Sequence, residues 1–401
     1  MPIETQDKST DSADNDAPVH LRVQVRKVNS DIVSIEWFDE HGGDETYQID
    51  AGQLDQAAND VRLKLDYYIQ AYIVAPADAH TEERLRELIT AGHDLFLTLF
   101  TATRDQVNAE AAKDRYLSLV GNEDLAIEFK VDPALAHPWT LCVPEVPDPA
   151  TLLDLTRVFW CIRHHVAVST FGAGLGSRGA LSTMEYRAAA AMDRVVYDAA
   201  STSIAETRES VLLDTLKERF GGTFAFTFDD LLAGLKRAAE DTQARLRIAY
   251  LLGHASGDRF RLSDDDVLSA STFAVRLNSF RSIHRQQTLL FLNGCDTAAE
   301  ADRFAFTDLL KYPGIAGLIG TEVRVPDRFA FRFALAFFYE VMLNGKSFRE
   351  AMDDLRRRHL PVSLAYALYA SDAICIAKSD SEEILVELAV NFSEGRLTCA
   401  P

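Results

Sequence analysis

The chain has 401 residues, 47% of them hydrophobic and 25% charged, which is the make-up of a soluble globular protein too long for one small core. Its formal charge of −20, from 41 Lys+Arg against 61 Asp+Glu, argues against unaided binding to nucleic acid or an anionic membrane, since both need a basic face. No apolar run approaches the roughly 20 residues of a membrane span, and five scattered cysteines (Cys142, Cys161, Cys295, Cys375 and Cys399) suit a reducing, cytoplasmic compartment rather than a disulfide framework or a zinc site.

Residues 1–18 are polar and acidic and read as a disordered tail. Residues 19–189 read as a smaller α+β N-terminal subdomain with a supporting or regulatory role. It opens on alternating runs, Leu21 to Val25, Ile32 to Trp37 and Tyr47 to Ile49, which suggest a small antiparallel layer with a turn at Gly42-Gly43. Helical spacing then runs over 81–119, and Leu125, Ile127, Phe129 and Val131 alternate as a strand. From about residue 190 the order becomes regular: strand 194–198, helix 204–219, strand 223–227, helix 229–240, strand 247–252. After an acidic insertion at Ser263-Asp264-Asp265-Asp266 come strand 288–292, helix 301–311, strand 315–319 and a long helix over 327–343. Strands alternating with helices imply an α/β fold with a mostly parallel sheet covered on both faces, so 190–401 reads as one catalytic-type domain.

Two of these strands end in reactive side chains. Arg247 to Leu252 leads into Gly253-His254, and Thr288 to Leu292 leads into Asn293-Gly294-Cys295-Asp296. Short runs that are apolar on both faces are buried parallel strands, and chemistry in open α/β sheets sits at the strands' C-terminal ends. If the strands are neighbours, a histidine base faces a thiol nucleophile.

Those segments, with Gly317 to Asp327, the Phe333 to Glu340 helix and Pro361 to Tyr369, resemble the CHAT domains, which are caspase-like cysteine peptidases. Val131 to Leu141, with Pro138-Trp139, is a weaker echo of the same family, so the likeness covers roughly residues 120–380. The resemblance implies a caspase-like three-layer fold preceded by the α+β subdomain, and an endopeptidase acting on one dedicated protein in a bacterial stress or antiviral pathway. It implies His254 as general base and Cys295 as nucleophile, with the backbone N–H groups of Ala255 and Cys295 as oxyanion donors. It also implies Asp296, Thr321, Glu322, Val323 and Arg324 as the substrate border. Activation by a partner protein or an upstream protease belongs to the same expectation, and no cofactor or metal is called for.

Several residues keep two readings. Asp296 either favours a basic P1 residue or caps the helix that follows. Asp327 and Pro326 border the cleft or, on a structural reading, Asp327 caps the long helix and Pro326 stops the loop, and the two readings are compatible. Trp139 reads as core packing. The adjacent His164-His165 pair is a poor metal site because neighbours in a strand point to opposite faces. Two alternative functions compete. One is a catalytically silent adaptor. The other is a dinucleotide binder: Gly174-Leu175-Gly176-Ser177-Arg178-Gly179 follows the strand-like Val166 to Phe171 and precedes an alanine-rich helix, and Asp198 is expected to end the next strand.

Overall fold

The computed structural model describes residues 20–39, 44–119, 125–146, 157–171, 182–184, 186–205, 209–220, 224–240, 246–256, 258–279, 287–298, 305–312, 314–370 and 374–376. The proposed tail, the Gly42-Gly43 turn and the Gly174–Gly179 loop lie outside these residues.

β1 (His20–Lys27), β2 (Ile32–Asp39) and β3 (Asp44–Asp50) pair antiparallel, with Leu21, Val23, Val25, Val33, Ile35 and Trp37 buried and the intervening residues half-buried or exposed. That alternation gives the layer one core face and one polar face. Three helices follow: α1 (Ala51–Val74), α2 (Ala79–Thr101) and α3 (Gln106–Leu119). Asp50 caps α1 by accepting from Gln53 N, and Asp78 caps α2 by accepting from His80 N. Phe96 and Phe100 of α2 and Tyr116 of α3 meet in one aromatic cluster, and Phe100 stacks on Trp37 with centroids 5.2 Å apart. β4 (Ala126–Val131) then runs parallel to β1, and after the short helical turn α4 (Trp160–Arg163) β5 (His165–Thr170) runs parallel to β4. Trp139 packs as expected: it is fully buried and stacks on Phe129 of β4 at 5.2 Å.

The second half consists of β6 (Ser182–Met184), β7 (Tyr186–Met192), α5 (Arg194–Ala205), α6 (Glu209–Arg219), α7 (Phe228–Glu240) and β8 (Leu246–Leu252). A small antiparallel sheet, β9 (His254–Ser256), β10 (Arg259–Ser263) and β11 (Asp266–Ser269), precedes α8 (Ala270–Ser279) and β12 (Gln287–Asn293). After β13 (Ile315–Thr321) come α9 (Asp327–Phe338), which ends in a π-turn over Tyr339–Leu343, then α10 (Phe348–Arg358), β14 (Tyr366–Ala370) and β15 (Ile374–Ile376), the last paired with β6.

Among the described residues ten strands form one sheet in the order β3-β2-β1-β4-β5-β14-β13-β12-β8-β7. Six of its nine neighbour pairs are parallel. The fold is therefore mixed α/β with a mostly parallel sheet, as the alternation of strands and helices predicts. Helices cover both faces of the second half. Phe220, at the end of α6, and Phe337 and Phe338 of α9 contact Tyr250 and Phe291 on one face, while Gly234 of α7 lies against Ala189 on the other. The sheet crosses without a break from the first half into the second, joined by β5 and β14.

Four local expectations are corrected. The strand expected at 194–198 is the start of α5, because Asp193 Oδ1 accepts from Val195 N and Val196 N and so begins a helix despite the β-branched pair. The alanine run expected as a helix is β7, and the 223–227 strand is reduced to one bridge, Ala191 to Ala225. Packing against β8 and α7 outweighs alanine's helical preference there. The helix expected over 81–119 is broken at 102–105, where Asp105 Oδ1 accepts from Asn108 N and α3 begins anew. Finally, α1 was not anticipated.

Candidate functional site

β8 and β12 are parallel neighbours in a register that pairs Leu252 with Asn293. His254 and Cys295 each lie two residues beyond that pair, so both emerge at one sheet edge, both half-buried. The chains leave the sheet through Gly253 and Gly294. A Cβ on Gly294 would stand 2.9 Å from Gly253 O and 2.9 Å from Phe260 Cε2, so only glycine lets the two strand ends close on each other here.

The cysteine sits in a braced turn. Asp296, directly after it, has φ of 59°, the left-handed region that Asp tolerates better than most side chains. Thr297 Oγ1 lies 2.7 Å from Leu292 O and accepts from Thr321 N at 3.0 Å, while Thr321 Oγ1 donates to Gly294 O at 2.6 Å. Beneath the turn the Asn293 amide donates to Ala330 O at 2.6 Å and accepts from Tyr366 Oη at 2.8 Å, tying β12 to α9 and β14.

The electrostatics do not favour a resting thiolate. Burial pushes the Cys295 thiol up, the carboxylates of Asp296 and Asp327 add to that, and the Val325 N–H and the Arg324 guanidinium oppose it. Asp327 is exposed at its surface, yet partial desolvation by the surrounding chain raises its carboxyl, an effect opposed by His254 and reinforced by Asp193, so the first residue of α9 lies within the electrostatic reach of the histidine. Asp296 is also raised by burial and by the nearby Asp66, with Arg324 opposing.

Of the border residues expected from sequence, Thr321, Glu322 and Val323 are buried and brace the edge, and Asp296 is half-buried. Arg324 offers its side chain to solvent, 64% exposed and ion-paired with Asp66 of α1 at 2.9 Å. Glu322 is held by Arg62 Nε of α1 at 2.8 Å and by Tyr369 Oη at 2.9 Å. Sequence reasoning missed Arg62 and Asp66 because it missed α1. No helix begins at Asp296 among the described residues, which run on only through Thr297 and Ala298.

The other sequence candidates separate from this edge. His164 is fully buried, while His165 faces Asp353 at 3.3 Å. No group of three or more His, Cys, Asp or Glu residues that could hold a metal occurs among the described residues. Asp198 lies within α5 and not at a strand end, which removes the acid that the dinucleotide reading required. Cys142 and Cys161 are buried, with thiols pushed up by burial. No described helix is long and apolar enough to cross a membrane.

No family profile and no curated protein matches the chain. Among solved structures it is similar to two of the Saccharomyces cerevisiae separase–securin complex. One is 12% identical, covering 83% of this chain and 23% of that one with a TM-score of 0.38. The other is 13% identical, covering 82% and 22% with a TM-score of 0.36. This chain thus spans under a quarter of the length of either match.

Proposed function

We propose that the chain is a cysteine endopeptidase of the caspase-like, CHAT type, with His254 and Cys295 as its dyad. The observation that carries the reading is the Leu252–Asn293 register, which sends a histidine and a cysteine off the same edge of adjacent parallel strands.

In this mechanism His254 takes the proton from the Cys295 thiol as Sγ attacks the scissile carbonyl carbon. Because burial holds the thiol protonated, proton transfer accompanies attack and does not precede it. The backbone N–H groups of Ala255 and Cys295 receive the oxyanion. Collapse of the tetrahedral intermediate expels the amine, which leaves with the proton from His254, and water then hydrolyses the thioester. An extended substrate lies against the 323–325 backbone. Asp296, with Asp66 behind Arg324, favours a basic P1 side chain. Residues 19–189 support the edge through α1, and the dedicated substrate, the defence or stress pathway and the activating partner or protease implied by the CHAT resemblance belong to the same proposal.

A second reading, a silent adaptor of the same fold, is favoured by one observation, the upward push on Cys295. Cleavage of a proteome-derived peptide library by wild type and Cys295→Ala, read by mass spectrometry, separates the two. Cuts after one residue type by wild type alone support the peptidase. Cuts that persist in the variant, or none by a folded wild type whose Cys295 reacts no faster than its other thiols, reject it.

A further inference from the structure

β8 is buried along its whole length, yet its second residue is an arginine. Arg247 is 4% exposed, and Thr288, its register partner on β12, is fully buried. Residues paired across adjacent strands point to the same face of a sheet. That face is the one α7 covers: Ala249, two positions beyond Arg247, pairs with Ala189, which lies against Gly234 of α7. Nε and Nη1 of Arg247 and Oγ1 of Thr288 are sealed from solvent and have no hydrogen-bond partner among the described residues. Arg187, the register neighbour on β7, is a second cation and not a counter-charge.

A buried lysine can shed its proton and become neutral, whereas a guanidinium stays charged. An interior charge is costly unless an opposite charge and hydrogen bonds meet it. Burial pushes Arg247 down, and no neighbouring charge opposes that push. The other buried arginines of the fold are answered: Arg62 meets Glu322, and Arg356 donates to Tyr366 O at 2.7 Å with Asp353 nearby at 3.8 Å. A water molecule could accept from the Arg247 donors but would leave the charge uncompensated. The chemistry of the seat, one cation beside one hydroxyl donor, is that of an anion site.

We infer that Arg247 and Thr288 bind a small monovalent anion of halide size between the bases of β8 and β12. It is small because Nε and Nη1 are sealed, so the ion enters with a shift of the Arg247 stem and not through an open channel. It is monovalent because a single guanidinium then leaves the interior neutral, while a divalent oxyanion would leave a net negative charge. The guanidinium donates to the ion from one strand and the Thr288 hydroxyl donates from the next. The bound ion ties together the two strands that end in His254 and Cys295, from the opposite end of the sheet, roughly 20 Å away along β8. The inference does not depend on the peptidase reading.

The test uses the full chain, melted at constant ionic strength while chloride replaces gluconate, so that screening does not change. The melting temperature of wild type should climb with the logarithm of chloride concentration, as for a ligand that binds only the folded chain. Arg247→Met should abolish the dependence and, in gluconate alone, melt no lower than wild type, because it removes a charge that has no partner there. Thr288→Val should need about ten times more chloride for the same rise, the worth of one hydrogen bond to a charged group. Wild-type crystals grown in bromide give a second readout that needs no variant, an anomalous peak in contact with the Arg247 guanidinium and Thr288 Oγ1. Equal melting of wild type in chloride and gluconate, the same chloride dependence in folded Arg247→Met, a response to acetate or phosphate through Arg247 without one to chloride, or bromide maps lacking that peak would overturn the inference. Every readout is obtained equally well in Cys295→Ala, so its failure and that of the peptidase reading are distinguishable.

Discussion

Replacing Arg62 with methionine tests whether α1 holds the candidate edge in place. Arg62 is 8% exposed, and besides its 2.8 Å contact with Glu322 it donates to Ala136 O at 2.7 Å. Glu322 is 2% exposed, and its carboxylate also accepts from the Tyr369 hydroxyl at 2.9 Å. The substitution strands a carboxylate in the interior, and breaking a buried pair from one side costs roughly 3–5 kcal/mol. Burial raises Glu322 above the usual carboxylate range, with Arg62 opposing that rise. A raised carboxyl destabilises the fold only when ionised: the penalty is absent below the unfolded-state value of about 4.3 and grows as pH rises through the folded-state value. Without Arg62 the folded-state value rises further, so Arg62→Met should lag wild type far more at pH 7 than at pH 5 in urea denaturation. The double variant Arg62→Met/Glu322→Gln should recover much of the loss, because no charge is then left unpaired. A single variant within about 1 kcal/mol of wild type, a deficit independent of pH, or a double variant no better than the single would refute the reasoning.

Other outcomes follow from the same geometry. Asp296→Asn removes a carboxylate that helps to raise the Cys295 thiol, so iodoacetamide should label Cys295 faster at pH 7 and the pH–rate profile should move to lower pH; an unchanged or higher profile would contradict the electrostatics described. Arg324→Ala should do the reverse and slow labelling. Asn293→Leu leaves Ala330 O and Tyr366 Oη buried without their partner, at about 1–3 kcal/mol for each group; chemical denaturation showing no loss would mean that β12 is tied down otherwise. Gly294→Ala drives a methyl to 2.9 Å from Gly253 O, so it should spread the two strand ends and slow probe labelling of Cys295 while the global melting temperature changes less than in Asn293→Leu.

What could be read from sequence was set by how local the cause was. β8, β12 and β13 are seven buried residues each or nearly so, bounded by small-residue breaks, and the expected bounds fall within two residues of those found. Edge elements fared worse. Ala188–Ala191 has no strand preference of its own and becomes a strand only because β8 pairs with it, while Val195-Val196 favours a strand and is turned helical by the Asp193 cap. α1 was legible in principle, with Asp50 as its cap and Leu54, Ala58, Val61, Leu65 and Ile69 along one buried stripe. Its β-branched and aromatic residues (Val61, Tyr67, Tyr68, Ile73) obscured the period. The part of the border that α1 supplies could not be read, since Asp66 and Arg324 are 258 residues apart and meet through the packing of α1 against the edge.

The most direct test of the dyad is intact-mass and peptide mapping after incubation with a peptidyl acyloxymethyl ketone bearing lysine at P1. One adduct on Cys295, absent or much slower in His254→Ala, with Cys142 and Cys161 unlabelled until urea unfolds the chain, is the result predicted from the shared sheet edge. Labelling of Cys295 at the same rate with and without His254, or an adduct spread over several cysteines of the folded chain, would contradict it.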